Sequence, residues 1–440
     1  MKKYIVYGGK KLTGTLRVSG AKNVITKALI AACLTDEPVV LHNVPRISDV
    51  FLLLDIIRHI GGDVKFEGDT VEIHLKDIKN TDVPLDLGAK VRTATMFLAP
   101  LIARAGKADV PNPGGCRLGA RPIDRHIAGL EKLGISIEYS SDDGYFHAEK
   151  KELHGSDIFF GKNSHTGTET ILLASVLAPG VTTISNAAAE PEIDDLIKLL
   201  NQMGAKIERT APREIKIEGV EKLSGTEFTI SSDRNEFITF AILSALSGGD
   251  IHIKNGNFED IKEFLNAFKK AGGKWVEENN GVRFFLGDQI NPVDIVTNIH
   301  PGFMTDWQGP WAVLLTQAHG VSTIHETVYE NRFAYVEELK KMGCKIEFFK
   351  PEVEDPNSFY NFDSEEFDSL NQGIKIYGPS KIHNAVLTIA DLRAGATLLL
   401  ASLFAEGESV IYGIEHLERG YEMIESRLKS IGADITVVDE

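Results

Sequence analysis

The sequence predicts an α/β protein built from six similar units, grouped as two lobes of three. Two observations predict it. The first is a junction that recurs six times, in which a helical stretch ends on an apolar residue and a glycine before an alternating strand. The copies are Ile60-Gly61-Gly62-Asp63-Val64, Leu133-Gly134-Ile135-Ser136-Ile137, Met203-Gly204-Ala205-Lys206-Ile207, Ala271-Gly272-Gly273-Lys274-Trp275, Met342-Gly343-Cys344-Lys345-Ile346 and Ile431-Gly432-Ala433-Asp434-Ile435. A glycine there ends the helix in the left-handed region, and the alternation that follows marks a half-buried strand. The glycines recur about every 70 residues, except that the last interval is about 20 longer. The second observation is that each unit also carries a strongly apolar helix followed by a glycine-led strand. Each unit therefore reads as strand, helix, strand, helix, strand.

Taken in order, the apolar helices open at Ala21-Lys22-Asn23, Val91-Arg92-Thr93, Ser164-His165-Thr166, Asp233-Arg234-Asn235, Thr305-Asp306-Trp307 and Asp391-Leu392-Arg393. In the first, Ile25, Ala28, Leu29, Ala32 and Cys33 follow the i, i+3, i+4 spacing of one buried face. Later copies such as Ala396-Thr397-Leu398-Leu399-Leu400-Ala401 are apolar nearly all round, which predicts deep burial. The extra length of the last interval falls at Lys350 to Gln372, an acidic and weakly periodic stretch that reads as a solvated surface excursion.

Composition narrows the function classes. The chain has 440 residues, 43% hydrophobic and 25% charged, enough for two or three cores. A net charge of −16 argues against bulk attraction to nucleic acid or anionic lipid. The start, Met1-Lys2-Lys3-Tyr4-Ile5-Val6, lacks the pattern of a signal peptide. The best apolar run, Ala385 to Phe404, is broken by Asp391 and Arg393 before it could span a membrane. Three cysteines fit a reducing compartment, so the expectation is a soluble cytoplasmic protein. The 13 histidines show no ligand spacing and no Cys/His cluster indicates a metal.

Cys116 is the candidate reactive residue. Its loop, Pro111-Asn112-Pro113-Gly114-Gly115-Cys116-Arg117-Leu118-Gly119-Ala120-Arg121-Pro122-Ile123-Asp124-Arg125, is too rich in proline and glycine for a regular helix or central strand. Arg117, Arg121 and Arg125 favour the thiolate of a group whose pKa otherwise lies near about 8.5. Cys33 and Cys344 sit in apolar contexts and read as small buried residues.

Polar residues collect at the starts of the apolar helices, where unpaired N–H groups and the positive dipole end attract phosphate and carboxylate. Lys22, Arg92 and Arg393 would add cations there and Asp306 a carboxylate, with Arg332 and Arg419 joining from other segments. Ser164, Asp233, Thr305, Asp306 and Asp391 have a purely structural reading as N-caps, and Arg332 and Arg419 as solvated charges or structural ion pairs. Lys22 and Arg393 are different, because a cation at a helix N-terminus opposes the dipole and needs an anion nearby. A binder of phosphorylated polyanions is the class these residues indicate.

The segments Ser19-Gly20-Ala21-Lys22-Asn23, Gly114-Gly115-Cys116 with Gly119-Ala120-Arg121-Pro122-Ile123-Asp124, Glu190-Pro191-Glu192-Ile193, Thr305-Asp306, Glu326-Thr327-Val328, Glu330-Asn331-Arg332-Phe333, Asp391-Leu392-Arg393-Ala394 and Arg419-Gly420-Tyr421 carry a resemblance. From end to end the chain resembles the UDP-N-acetylglucosamine 1-carboxyvinyltransferases, a family of enolpyruvyl transferases. The resemblance implies a two-lobed inside-out α/β barrel of six βαβαββ units. It places residues 21–230 in one lobe and 1–20 with 231–440 in the other, with crossovers near Ser19 and Ser231 and a substrate cleft between the lobes. It implies transfer of the enolpyruvyl group of phosphoenolpyruvate to the 3′-hydroxyl of UDP-N-acetylglucosamine with release of phosphate, without metal or organic cofactor. That reaction opens peptidoglycan synthesis, and fosfomycin is the implied inhibitor.

Carried over by position, Cys116 would donate a proton and Asp306 would accept one. Lys22 and Arg121 would hold the phosphate, and Arg393 and Arg419 would bind phosphoenolpyruvate. Asn23 and Arg92 would contact the substrates. Arg121, Pro122, Ile123, Asp124 and Arg125 would border the nucleotide, while Lys162, Asn163, Ser164, His165 and Val328 would line the uridine and sugar side. The chain departs from the family pattern in Ser164-His165-Thr166-Gly167-Thr168-Glu169-Thr170 and in Asn235-Glu236-Phe237-Ile238-Thr239, both expected near the nucleotide, and in Ala390 and the acidic insertion. Two alternatives therefore stand beside the leading one: a paralogue using another acceptor, and a non-catalytic homologue that binds UDP-sugar.

Overall fold

The computed structural model describes residues 2–113, 123–278, 281–287, 289–363 and 370–439. Its helices and strands form two compact units of mixed α/β structure. One is drawn from the described residues between Gly20 and Ser231, the other from those up to Ser19 and from Ser232 onward. Among the described residues each unit holds three sheets.

In the Gly20–Ser231 lobe the first sheet runs Thr226–Thr229, Val39–His42, Thr70–His74, Asp63–Glu67. Its outermost pair is a hairpin whose Val71 and Ile73 are buried while Thr70, Glu72 and His74 are not, the period-two pattern of a strand with one covered face. A three-stranded sheet follows, Lys107–Pro111, Tyr145–Lys150, Ile135–Ser140. The third runs Lys206–Ala211, Glu214–Glu218, Val181–Ser185, Asp157–Phe159.

The other lobe takes in the start of the chain. Lys2–Gly8 lies between Gly407–Tyr412 and Asp434–Asp439, antiparallel to both, with Ile5 opposite Val410 and Val6 opposite Ile435. Thr13–Arg17 runs parallel to Asp250–Lys254. The third sheet of this lobe is Ile295–Val296, Gly320–His325, Gly373–Gly378, Lys345–Phe349.

Apolar helices fill both interiors. Leu392–Phe404 buries all but its second and last residues, and Arg234–Ser247 is buried from Arg234 to Leu246. A helix without a polar face has to be enclosed by protein, as the composition of these segments predicts. All six repeated glycines adopt positive φ, between 86° and 112°, where a side chain would be strained. Cys33 and Cys344 are buried as expected, and burial pushes both thiols up to about 12, for Cys33 against the nearby charge of Arg104.

One departure from the family pattern finds an account in packing, and one expectation needs correction. At 235–239, Phe237 and Ile238 lie in the core of the second lobe, while Asn235 accepts from Trp307 Nε1, next to Asp306. The Phe237 ring meets Phe258 and Phe284 edge-on at 5.7 and 5.8 Å. Room for it comes from Gly256, where a Cβ would stand 2.5 Å from the ring. The segment 350–372 is not simply solvated, because Tyr360, Phe362 and Gln372 are buried. Four aromatic residues within an acidic stretch, Phe359, Tyr360, Phe362 and Phe367, are the readable sign that part of it packs.

Candidate functional site

In the Gly20–Ser231 lobe, Lys22 opens the helix Lys22–Ala31, whose N-cap Ala21 provides no side-chain acceptor. The Lys22 ammonium lies 2.7 Å from the Asp49 carboxylate, itself nearly enclosed in the first turn of the helix Ser48–His59. The anion that a cation at a helix start requires is thus a side chain of the protein, placed where the second helix dipole also favours it. Asn23 is half-buried, and its carbonyl accepts from Lys27 Nζ at 2.9 Å.

Lys27 then reaches the start of another helix. Its ammonium is 3.3 Å from Glu169 Oε1, and His165 Nε2 is 3.2 Å from the same oxygen. Ser164 caps this helix, His165–Ser175, by accepting from the Gly167 N–H at 3.0 Å. Asn163, just before it, donates to the Asn186 carbonyl at 3.0 Å, and Lys162 is half-buried. Glu169 is 1% exposed and Glu190 is buried nearby. Burial alone would lower the His165 pKa, but the charges of Glu169 and Glu190 outweigh it and Lys27, and the net shift is upward. Two carboxylates against one ammonium leave a net negative charge that a protonated His165 neutralises.

Ile123 is buried, and Asp124 is exposed where it begins the helix Asp124–Lys132, with Arg125 half-buried beside it. His126 of that helix meets Thr166 Oγ1 at 2.8 Å, so the 123–125 and 162–166 segments are neighbours. Arg92 starts the 3₁₀ turn Arg92–Phe97 and is half-buried; its carbonyl accepts from Thr95. Cys116, Arg121 and Pro122 lie outside the described residues.

The second lobe gathers its charges around Asp306. The 3₁₀ turn Thr305–Trp307 leads into the helix Gln308–Leu315 and presents that carboxylate. Oδ1 accepts from Arg332 at 2.5 Å, and Oδ2 lies 3.0 Å from an Arg393 nitrogen. The side chain of Arg332 is 4% exposed and that of Arg393 12%, while Asp306 keeps 24%, an open edge on an otherwise enclosed triad. Burial would raise the Asp306 pKa, but the Arg393 and Arg332 guanidiniums hold it well below the usual carboxylate range. Asp391 caps the helix Leu392–Phe404, accepting from the N–H groups of Arg393 and Ala394 at 2.8 and 3.1 Å, so it fixes where Arg393 leaves the backbone. Asp233 caps its helix in the same way. Thr305 and Asp306 do not cap theirs.

Glu326 supports this triad from below. Its carboxylate is wholly buried and accepts four hydrogen bonds. Thr305 Oγ1 and Gln308 Nε2 donate to Oε2 at 2.8 and 2.7 Å, and the Val328 and Tyr329 N–H groups donate to Oε1 at 2.7 and 3.1 Å. Burial pushes this carboxyl up, while the Arg332 charge and these donors pull the other way. Val328 is buried in the turn that leads to Arg332, and Arg419 is half-buried in the turn after Ile414–His416.

Sequence reading did not include Asp49, Lys27, Glu169, Glu190 or Glu326 among the site residues, and it named Arg332 only as a further cation with no partner assigned. Some signal existed. Lys27 interrupts the apolar stripe of its helix, and His165 and Glu169 stand at i, i+4 spacing. The pairing of Arg332 with Asp306, 26 residues apart, had no local signal.

A family model for EPSP synthase (3-phosphoshikimate 1-carboxyvinyltransferase) matches residues 6–428. Among curated relatives, the UDP-N-acetylglucosamine 1-carboxyvinyltransferase of Desulfatibacillum aliphaticivorans is 39% identical over 435 residues, 99% of each chain. Its namesake from Koribacter versatilis (strain Ellin345) is 38% identical over 444 residues, 100% of this chain and 97% of the other. Among solved structures, the enolpyruvyl transferase NikO from Streptomyces tendae superposes with a TM-score of 0.87 at 23% identity, over 99% of each chain. An EPSP synthase from Acinetobacter baumannii gives 0.77 at 18% identity over all of both chains. These two likenesses show a shared fold.

Proposed function

The chain belongs to the EPSP synthase family of enolpyruvyl transferases, and we propose that it transfers the enolpyruvyl group of phosphoenolpyruvate to the 3′-hydroxyl of UDP-N-acetylglucosamine, releasing phosphate. Full-length relatives at 38–39% identity bearing that activity in their names support the acceptor. The observation that carries the chemistry is the triad of Asp306, Arg332 and Arg393, an ionised carboxylate with an open edge held by two guanidiniums.

The steps follow from the residues. Lys22, Arg121, Arg393 and Arg419 hold the phosphate and carboxylate of phosphoenolpyruvate. Asn23 and Arg92 contact the substrates, Arg121 to Arg125 border the nucleotide, and Lys162 to His165 with Val328 line its uridine and sugar side. The acceptor oxygen adds to C2 of phosphoenolpyruvate, its proton passes to Asp306, and Cys116 protonates C3. The Cys116 thiolate then takes back a proton from C3 as the C2–O bond to phosphate breaks, restoring the double bond on the sugar and releasing phosphate. Cationic forks neutralise the anionic adduct better than water does, because they need no reorganisation.

Asp306 is a weak base while both guanidiniums rest on it. A bound anion that draws Arg393 away removes one of those charges and raises the basicity of Asp306 when the proton has to move. Phosphoenolpyruvate thus readies the base as it binds.

The same reading includes the finer fold, an inside-out α/β barrel of six βαβαββ units, for which three sheets per lobe are the support. It also assigns a cytoplasmic role at the first committed step of peptidoglycan synthesis, with consequences for cell shape and division, and fosfomycin as an alkylator of Cys116. Among the described residues no helix is long and apolar enough to cross a membrane.

The test is phosphate release by purified protein given both substrates, with each omitted in turn. Release that requires both is the expected result. A folded protein that binds UDP-N-acetylglucosamine without releasing phosphate would replace this reading with a non-catalytic one. Release with a different sugar nucleotide only would replace the acceptor.

A further inference from the structure

Phe349 and Gly373 are direct partners in an antiparallel hairpin. Two residues suffice to close such a hairpin, yet the chain spends residues 350–372 there. Part of the described loop packs rather than standing in solvent: Tyr360, Phe362 and Gln372 are buried, and residues 359–361 with Gln372 lie along the segment 325–331 of its own lobe. Phe359 stacks on His325 with ring centroids 5.3 Å apart, and the Tyr360 hydroxyl meets His325 Nε2 at 3.0 Å. The Asn361 N–H donates to the Thr327 carbonyl at 2.8 Å.

Gln372 makes the tightest set of contacts. It is 2% exposed, and its backbone carbonyl accepts from the Glu326 N–H at 2.8 Å. Its side-chain amide donates to the carbonyls of Glu326 and Tyr329, both at 3.0 Å, and accepts from the Asn331 N–H at 3.3 Å. The turn so bound is irregular, and Asn331 sits at φ 54°. An irregular buried turn has to find partners for its peptide groups outside itself. Here the Glu326 carboxylate serves the N–H groups of Val328 and Tyr329, and the loop serves the peptide groups of Glu326, Thr327, Tyr329 and Asn331.

We infer that residues 359–361 and Gln372 of this loop form a positioning element that clamps the turn carrying Val328 and Arg332, and thereby sets how tightly the acceptor is held. This inference rests on the function proposed above, in which Val328 borders the sugar nucleotide. None of the loop residues needs to touch substrate. Their effect passes through the turn.

The test uses the full chain and two variants. In one, Asn-Gly replaces residues 350–372, and in the other Gln372→Ala leaves the loop in place should the first fail to fold. The expected result is a KM for UDP-N-acetylglucosamine raised about tenfold, a KM for phosphoenolpyruvate within about twofold of the parent, and faster hydrogen exchange at Val328, Tyr329 and Asn331, with Leu392–Phe404 still protected. An unchanged acceptor KM overturns the inference, whether or not exchange rises, and so does a raised KM with unchanged exchange. A parent protein that neither turns over nor binds the nucleotide defeats the functional reading itself. No behaviour of the variants relative to the parent can mimic that.

Discussion

Glu326→Gln exchanges a buried carboxylate for a neutral side chain of the same shape, and its cost follows from counting donors. Both carboxylate oxygens accept two hydrogen bonds each, from Thr305 and Gln308 on one side and from the N–H groups of Val328 and Tyr329 on the other. The Gln308 amide is held in its present sense by its oxygen, which accepts from the Tyr335 hydroxyl at 2.8 Å. Placed toward Val328 and Tyr329, the new NH2 faces two N–H groups that can only donate; placed toward Thr305, it meets a hydroxyl that can rotate and accept, but it still faces the Gln308 NH2. In the better placement one buried donor loses its acceptor, at about 2 kcal/mol. For a lobe of this size that is a fall in Tm of roughly 4–8 °C. Differential scanning calorimetry of the two proteins reads it. A Tm within about 2 °C of the parent would refute the reasoning, since it would mean that the folded protein already holds Glu326 protonated, the state burial by itself favours.

Asp306→Asn should lower turnover by about 10²–10⁴-fold and leave Arg332 and Arg393 facing a neutral group, read by phosphate release and thermal denaturation. Because the Asp306 pKa is depressed in the folded state, its stabilisation is complete above its unfolded value of about 4 and is lost as pH falls below that; a variant whose Tm falls on acidification as steeply as the parent's would contradict the ion-paired assignment. His165→Gln should cost roughly 2–4 °C in Tm at pH 6 and less at pH 9. A raised folded-state pKa gives stability that is present below about 6.5 and lost as pH rises through the folded value, so a deficit that persists unchanged at pH 9 counts against a charged His165. Thiol titration of the native protein should find one fast group that Cys116→Ser removes and three under denaturant, since Cys33 and Cys344 are buried with raised pKa values; a fast thiol surviving in Cys116→Ser would assign the reactive cysteine elsewhere.

Much of the candidate site was legible as residue types and little of it as pairings. A lysine or arginine at a helix start is a local anomaly, so Lys22 and Arg393 stood out from the chain alone. The identity of their counter-ions, Asp49 and Asp306, required the helices to be placed against one another. Lys27, Glu169, Glu190 and Glu326 were passed over because a charged residue in an apolar segment becomes informative only when its burial and partners are known. The bulk at Phe237 had no local explanation for a related reason, as the space it fills is supplied by Gly256, 19 residues away.

The sequence by itself determined the repeat, the glycine helix ends with positive φ, the enclosed apolar helices and the two inert cysteines. Each depends on backbone preference or hydrophobic period over a few neighbouring residues, which the chain spells out directly. The resemblance already placed residues 1–20 with 231–440, but only the tertiary structure decided which two strands flank Lys2–Gly8 and in what register. It also decided that Asp306 answers to two arginines, and that residues 359–361 and Gln372 pack onto the turn before Arg332. Those arrangements join residues tens to hundreds of positions apart, and no local propensity distinguishes one distant partner from another until burial forces each polar group to find one.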